Sequence, residues 1–372
     1  MPELPEVEVV RHGLAPAVTG ARVLSVDVLD ERALTRHPRD AADFVGRLEG
    51  REVRAAARRG KFLWLPLDER AGEPEALVAH LGMSGQMLLR DPDAPLERHE
   101  RVRLRVEHAR HGVLAVVFAD QRTFGSLAVD ALLPTPDAAP GGYGTADALV
   151  PSQVAHIARD PLDPAFDERG VITRIRRRSS AIKRILLDQS LVSGIGNIYA
   201  DESLWAARIH PETHGTAISV QALRRLMAEV RLVLEKALAE GGTSFDAQYV
   251  NVNGQAGYFA RELRSYGRTG LPCPRCGTPI VREKFMNRSS HFCPKCQRRS
   301  KRSGSAGTSR SGAGNLGQHR ATSSFETDLM TSLPTVVTVS GCDDDGLLCG
   351  SSAAVSMLDE EDDEHEVDSL SR

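Results

Sequence analysis

No run of apolar residues in this 372-residue chain is long enough to cross a membrane, and Met1-Pro2-Glu3-Leu4-Pro5-Glu6 carries no cationic leader. The expectation is a cytoplasmic protein with reduced thiols. Cysteine is scarce, six residues in all, and four of them fall in one run. Cys273-Pro-Arg-Cys276 and Cys293-Pro-Lys-Cys296 are spaced C-x2-C-x16-C-x2-C. Four thiolates in two tight pairs are what a tetrahedral structural Zn²⁺ requires. Two paired C-x-x-C units without a thioredoxin-like context argue against a redox dithiol or two disulfides. The residues between the pairs predict one β-hairpin with Phe285-Met286-Asn287-Arg288-Ser289-Ser290 near its tip. The metal would then hold a polar loop centred on Arg288. Cys342 and Cys349 lack ligand-like spacing and receive no role.

Excess charge is lacking overall, with a formal net of −3, but that figure averages two unlike parts. Ser303 to Arg372 carries 3 basic and 13 acidic residues, a net of −10, which leaves +7 on Met1 to Arg302. A basic body suits a polyanionic partner, although many ordinary enzymes carry such a charge. The Gly/Ser-rich and then acidic composition beyond Ser303 predicts a disordered tail over 303–372.

The chain is long enough for two or three domains. Val7, Val10 and Leu14 recur at helical spacing behind Pro5, which suits a first turn. Leu24, Val26 and Val28 alternate with Ser25 and Asp27 as in a strand. Val102, Leu104 and Val106 alternate with Arg101, Arg103 and Arg105, which predicts an apolar face and a cationic one. His111-Gly112 turns into an apolar strand over 113–118. The expected fold is α+β: a two-layer β-sandwich with flanking helices over 1–133, then a Pro/Gly/Ala-rich linker over 134–150. A helical domain follows over 151–262, then the zinc hairpin over 263–298. Leu223, Leu226, Met227, Val230, Val233, Leu234 and Ala237 mark one of its helices, closed by Gly241-Gly242.

Leu191-Val-Ser-Gly194-Ile-Gly196-Asn197-Ile-Tyr-Ala-Asp201-Glu202 reads as a helix, a glycine turn and a second helix capped by Asn197. Free N–H groups at such a helix start suit phosphate capture, and Asn197 adds a side-chain donor. A plain helical hairpin with a good cap accounts for the segment equally well. The Gly-x-Gly lies between helices and lacks the third glycine of a dinucleotide fold.

Taken in order, Pro2-Glu3-Leu4-Pro5-Glu6-Val7-Glu8, the Gly194–Glu202 turn and the four-cysteine hairpin resemble the formamidopyrimidine-DNA glycosylase/endonuclease VIII family over roughly Met1 to Arg298. The tail beyond Arg302 departs from that pattern. The resemblance implies a bifunctional base-excision repair enzyme with a two-helix-turn-helix DNA-binding domain, one structural Zn²⁺ and damaged double-stranded DNA as partner. A monomer is expected. Once Met1 is removed, Pro2 presents a secondary amine, and an α-amino pKa of about 8 leaves part of it unprotonated near neutrality. Such an amine attacking a sugar C1′ expels the base and yields an iminium that acidifies the C2′ proton. By resemblance Pro2 is the nucleophile, Glu3 the proton donor and Glu6 a supporting carboxylate. Lys61, behind Arg58-Arg59-Gly60, matches a lysine that contacts phosphate and assists β-elimination. Arg288 matches an arginine that engages the damaged nucleotide's phosphates and assists the second elimination, and its guanidinium fork suits that task.

A base inside a duplex cannot reach Pro2, so it must be flipped out and the hole filled. The resemblance makes Met83, Arg122 and Phe124 the void-filling trio, since an apolar wedge and a ring suit an unstacked step. His99 and Arg178 become phosphate contacts, and the stretch 243–259 resembles the loop closing over a flipped purine. Each has a plainer reading: an ordinary N-terminus for Pro2, solvated charges for Glu6 and Lys61, core packing for Met83 and Phe124. The implied substrate is 8-oxoguanine or ring-opened purine in duplex DNA, cut by β- and δ-elimination. Alternatives are an endonuclease VIII-like enzyme on oxidised pyrimidines and a non-catalytic zinc protein that binds damaged DNA.

Overall fold

The computed structural model describes residues 2–70, 72–243, 252 and 259–299. The acidic tail, with Cys342 and Cys349, and most of the stretch 243–259 lie outside the described residues.

The chain opens with α1 (Leu4–Val18), whose first turn carries Pro5 and whose Val7, Val10 and Leu14 are buried. Two antiparallel sheets follow. One has the order β1 (Arg22–Val28), β6 (Glu100–His108), β7 (Gly112–Asp120), β5 (Gly85–Arg90). The other runs β2 (Ala57–Arg59), β3 (Phe62–Pro66), β4 (Glu75–His80), β8 (Ser126–Pro134), β9 (Leu149–Pro151). Val26, Leu104 and Phe118 of the first meet Leu63, Leu77 and Val129 of the second, with Leu14 of α1 and Phe44 of α2 (Ala41–Leu48) in the same core. Successive strand residues face opposite ways, so Phe62 and Trp64 leave that core and build a second one with Val78 and Val154. The expected two-layer sandwich with flanking helices is present.

Three local expectations change. A register shift between Val23 and Ser25 bulges β1, so Val23 and Val26 point inward and Leu24 is 44 % exposed. The arginines of β6 form no free cationic face. Arg101 pairs with Asp30 at 2.8 Å, Arg105 with Asp27 at 3.1 Å, and buried Arg103 with Glu100 at 2.6 Å. The stretch 134–150 is not a free linker. It returns to the sheet, where β9 pairs with β8 and Tyr143 exchanges backbone hydrogen bonds with Arg58.

Beyond residue 160 the chain is helical: α3 (Glu168–Arg176), α4 (Ile182–Leu186), α5 (Asn197–Ala206) and α6 (Val220–Ala239). Ile175, Ile185, Tyr199, Leu226 and Val230 share one core, and Leu4 of α1 enters it. The first residues of the chain are thereby seated in the helical domain. Strands β10 (Val281–Phe285) and β11 (Arg288–Phe292) form the predicted hairpin, with Phe285 opposite Arg288 and Met286-Asn287 as its tip.

Candidate active site and zinc hairpin

Glu3 is the N-cap of α1 and only 2 % exposed. Its carboxylate accepts from the amides of Gly196 at 2.5 Å, Ile198 at 2.9 Å and Tyr199 at 3.4 Å, all at the start of α5. The N-cap of α5 is Gly196 rather than Asn197, and no side chain caps it locally. The anion that this helix end attracts is therefore Glu3 of the same chain, not an incoming phosphate. Gly196 is obligatory here, because a Cβ would sit 2.3 Å from the Glu3 Cδ. Asn197 is the first residue of α5, half-buried beside the bound carboxylate.

Burial raises the Glu3 pKa, with a smaller push from Glu6, against opposition from Lys61 and the helix amides; the outcome is about 7. Glu6 closes a capping box by accepting from the Glu3 amide at 2.9 Å. Its other oxygen accepts from the Tyr199 hydroxyl at 2.6 Å and from the amide and hydroxyl of Thr243, each at 2.8 Å. Glu6 is thus a buried strut, not a solvated charge. Gly241 and Gly242, both at positive φ, end α6 and deliver Thr243 to it. Pro2 precedes this pair of carboxylates and is buried.

Lys61 donates to the Ile195 carbonyl at 3.0 Å. Burial lowers its pKa and the Glu3 charge opposes the drop. Its turn needs Gly60, at φ +58°, since a Cβ would lie 2.7 Å from Ser193 Oγ. The peptides flanking Gly60 are held by a buried ion pair: Asp160 accepts the Gly60 amide at 3.2 Å, and Arg58 donates to the Gly60 carbonyl at 3.2 Å. Arg58 also binds Asp160 and Glu8, each at 2.9 Å. One guanidinium thus ties α1 to the Lys61 turn. Sequence reasoning missed this pair, whose members lie 102 residues apart.

Arg288 and Lys61 line one groove of about 560 Å³ with Arg178, Arg184 and Gln189. Arg178 already pairs with Asp188 at 2.5 Å, so a phosphate would have to compete for it. Among the described residues Arg288 has no ion-pair partner.

Met83, Arg122 and Phe124 lie on two loops that Asp120 ties together. Its carboxylate accepts from Ser84 Oγ at 2.6 Å and from the amides of Arg122 at 3.1 Å and Gly125 at 2.7 Å. Met83 is 38 % and Phe124 61 % exposed, which removes the core-packing reading. His99, at φ 65°, accepts the Asp120 amide at 2.9 Å through its carbonyl and so flanks the same loop.

The Sγ atoms of Cys273, Cys276, Cys293 and Cys296 all lie within 4.8 Å of one another. Tetrahedral Zn–S bonds of about 2.3 Å place sulfurs about 3.8 Å apart, so the donor set fits one Zn²⁺. Trp205 Nε1 donates to Cys273 Sγ at 3.4 Å, tying the knuckle to α5.

Family models match residues 1–127 (formamidopyrimidine-DNA glycosylase N-terminal domain), 157–248 (formamidopyrimidine-DNA glycosylase H2TH domain) and 270–299 (zinc finger found in FPG and IleRS). A formamidopyrimidine-DNA glycosylase of Leifsonia xyli subsp. xyli is 64 % identical over 298 residues, which cover 80 % of this chain and 100 % of the relative. Lactococcus lactis Fpg has been solved with DNA containing N7-benzyl-Fapy-dG (TM-score 0.66) and with DNA containing an oxidised pyrimidine (TM-score 0.65). Both structures are 31 % identical, covering 80 % of this chain and 100 % of theirs. A buried acid beside the second residue, on a sandwich joined to a helical domain and a zinc hairpin, defines a DNA glycosylase with abasic-site lyase activity. The chain belongs to the formamidopyrimidine-DNA glycosylase family, which removes oxidised purines in base-excision repair.

Proposed function

We propose that this enzyme excises 8-oxoguanine and formamidopyrimidines from damaged duplex DNA through Pro2, and cuts the strand by β- and δ-elimination. The observation that carries the reading is Glu3: a buried carboxyl with a pKa of about 7, one residue from the Pro2 nitrogen and electrostatically coupled to Lys61. Such an acid is half-protonated at neutral pH, where proton transfer in both directions is efficient. The Pro2 amine attacks C1′, the C1′–N bond to the base breaks, and Glu3 supplies the proton that the opening sugar or departing base takes up. Loss of the C2′ proton from the iminium then expels the 3′ phosphate. Lys61 supports this step by holding a phosphate, and Arg288 supports the second elimination, which expels the 5′ phosphate. Glu6 keeps Glu3 in place through its amide. Zn²⁺ on the four cysteines is structural and takes no part in these steps.

Met83, Arg122 and Phe124 fill the space left by the flipped nucleotide, and their exposure on paired loops supports that role. His99, Arg178 and Asn197 meet phosphates, Asn197 through its side chain because Glu3 holds the neighbouring amides. The enzyme acts as a cytoplasmic, nucleoid-associated monomer. We place catalysis in residues 1–133 with 134–150 attached to that sandwich, DNA binding in 151–262 and the zinc finger in 263–298.

Oxidised pyrimidine remains a second substrate class, because the Lactococcus lactis relative was solved on such DNA. Borohydride trapping on duplexes with 8-oxoguanine or thymine glycol tests both. Preferential trapping on 8-oxoguanine is expected, and an uncleaved N-terminal tag should abolish it while DNA binding survives. Full trapping by a protein whose tag is verified intact by mass spectrometry would remove Pro2 from the mechanism.

A further inference from the structure

The zinc knuckle sits at the base of the hairpin, and Arg288 sits at its tip. Cys293 follows Arg288 by five positions, and at about 3.4 Å per residue the lever is roughly 17 Å long. A tilt of about 5° at the base would move such a tip by about 1.5 Å. Metal alone therefore cannot set the position of the guanidinium.

A second anchor grips the tip. Lys183 of α4 is 0 % exposed and pairs with Asp201 of α5 at 2.8 Å. Its ammonium donates to the Ser289 carbonyl at 2.8 Å and lies 5.3 Å from the centre of the Phe285 ring. Ser289 follows Arg288 on β11, and Phe285 is the cross-strand partner of Arg288 on β10. One buried cation thus touches both strands beside the tip. Asp201 continues the clamp by accepting the His291 amide at 2.9 Å. An aliphatic side chain would fill the space without these directions, whereas an ammonium aims its donors at two fixed acceptors. Breaking one partner of such a pair leaves an uncompensated buried charge.

We infer that Lys183 is the positioning residue for Arg288, the contact that aims its guanidinium into the groove shared with Lys61. This rests on the reading of Arg288 in the second elimination. Displacement of a catalytic group by about 1 Å costs on the order of 100-fold in rate.

The test uses full-length, zinc-loaded enzyme on abasic-site DNA. Lys183→Met should keep its zinc, its borohydride trapping and its β-elimination product. Its ratio of δ- to β-product should fall about ten- to a hundredfold, to the level of Arg288→Ala. Adding Arg288→Ala to Lys183→Met should lower the ratio no further. Amides across residues 285–291 should exchange hydrogen faster in Lys183→Met. The neutral pair Lys183→Met/Asp201→Asn, which strands no buried charge, guards against a folding failure and should show the same product ratio. A wild-type ratio with unchanged exchange in either variant overturns the inference, as does an additive loss with Arg288→Ala. If Arg288→Ala alone behaves as wild type, the role of the arginine fails; faster exchange in Lys183→Met would then still establish the anchor.

Discussion

Glu3→Gln should stabilise this enzyme as pH rises, and the size of the effect follows from one carboxyl. Its pKa moves from 4.5 in the unfolded chain to about 7 in the folded protein, chiefly because burial penalises the charge. A raised folded pKa contributes stability that is fully present below 4.5 and lost as pH climbs through 7. Each unit is worth about 1.36 kcal/mol, so the loss between pH 4.5 and pH 8 is on the order of 3 kcal/mol. Glutamine cannot ionise and escapes this loss. It also turns an NH₂ toward backbone donors that now meet oxygens, at a fixed cost of about 1–3 kcal/mol. That offset does not vary with pH, so it cancels from the slope. The assay is urea denaturation of the two proteins from pH 5 to pH 8 with zinc present. Glu3→Gln minus wild type should grow by about 2.5 kcal/mol across the range, with most of the change below pH 7. A flat difference, or one that shrinks with pH, would refute a buried carboxyl of raised pKa and the general-acid role built on it. Catalysis should be lost throughout.

Gly60→Ala forces a Cβ into Ser193 at φ +58° and should cost about 1–3 kcal/mol in stability while misplacing Lys61; β-elimination rates on abasic DNA would reveal it. Cys276→Ser should release zinc and weaken DNA binding without removing borohydride trapping at saturating DNA, as metal analysis beside a binding curve would establish. Phe124→Ala should depress 8-oxoguanine excision well beyond its effect on a preformed abasic site, because less unstacking is required there; equal losses would point to packing instead. Truncation after Arg302 should leave excision intact and tighten DNA binding at low salt only, since a net −10 tail competes electrostatically with DNA for a +7 body. The Leifsonia xyli relative is covered in full without such a segment.

Local order carries most of what the sequence discloses. The cysteine spacing specified the hairpin and its metal, and the helical period of Val7, Val10 and Leu14 specified α1. These signals lie within a few turns of chain. Leu24 misled because a single bulge reverses which neighbours face inward, and alternation alone cannot reveal the extra residue. Arg101 and Arg105 of β6 misled because their acids, Asp30 and Asp27, lie more than 70 residues earlier, and Arg103 because it folds back, buried, on Glu100 of its own strand. Arg58 with Asp160, and Lys183 with Asp201, were invisible for the same reason: a buried ion pair reads as two ordinary surface charges until the fold brings them together.

The start of α5 shows how one physical feature admits two outcomes. A glycine turn into a helix gathers unpaired amides, and sequence can say only that an anion belongs there. The fold supplies Glu3 by seating Leu4 in the helical core and hydrogen-bonding the Leu4 amide to Gly194 at 2.9 Å. Those amides stabilise the carboxylate, while burial among Leu4, Tyr199 and Glu6 disfavours it. Burial prevails, and the opposition of Lys61 and the amides limits the rise to about 7. The negative charge of DNA phosphates brought near the site would push the Glu3 pKa higher, toward the protonated form that a departing base requires. The helix end that resembled a phosphate site thus tunes an acid, and the groove lined by Lys61 and Arg288 is the one proposed for phosphate.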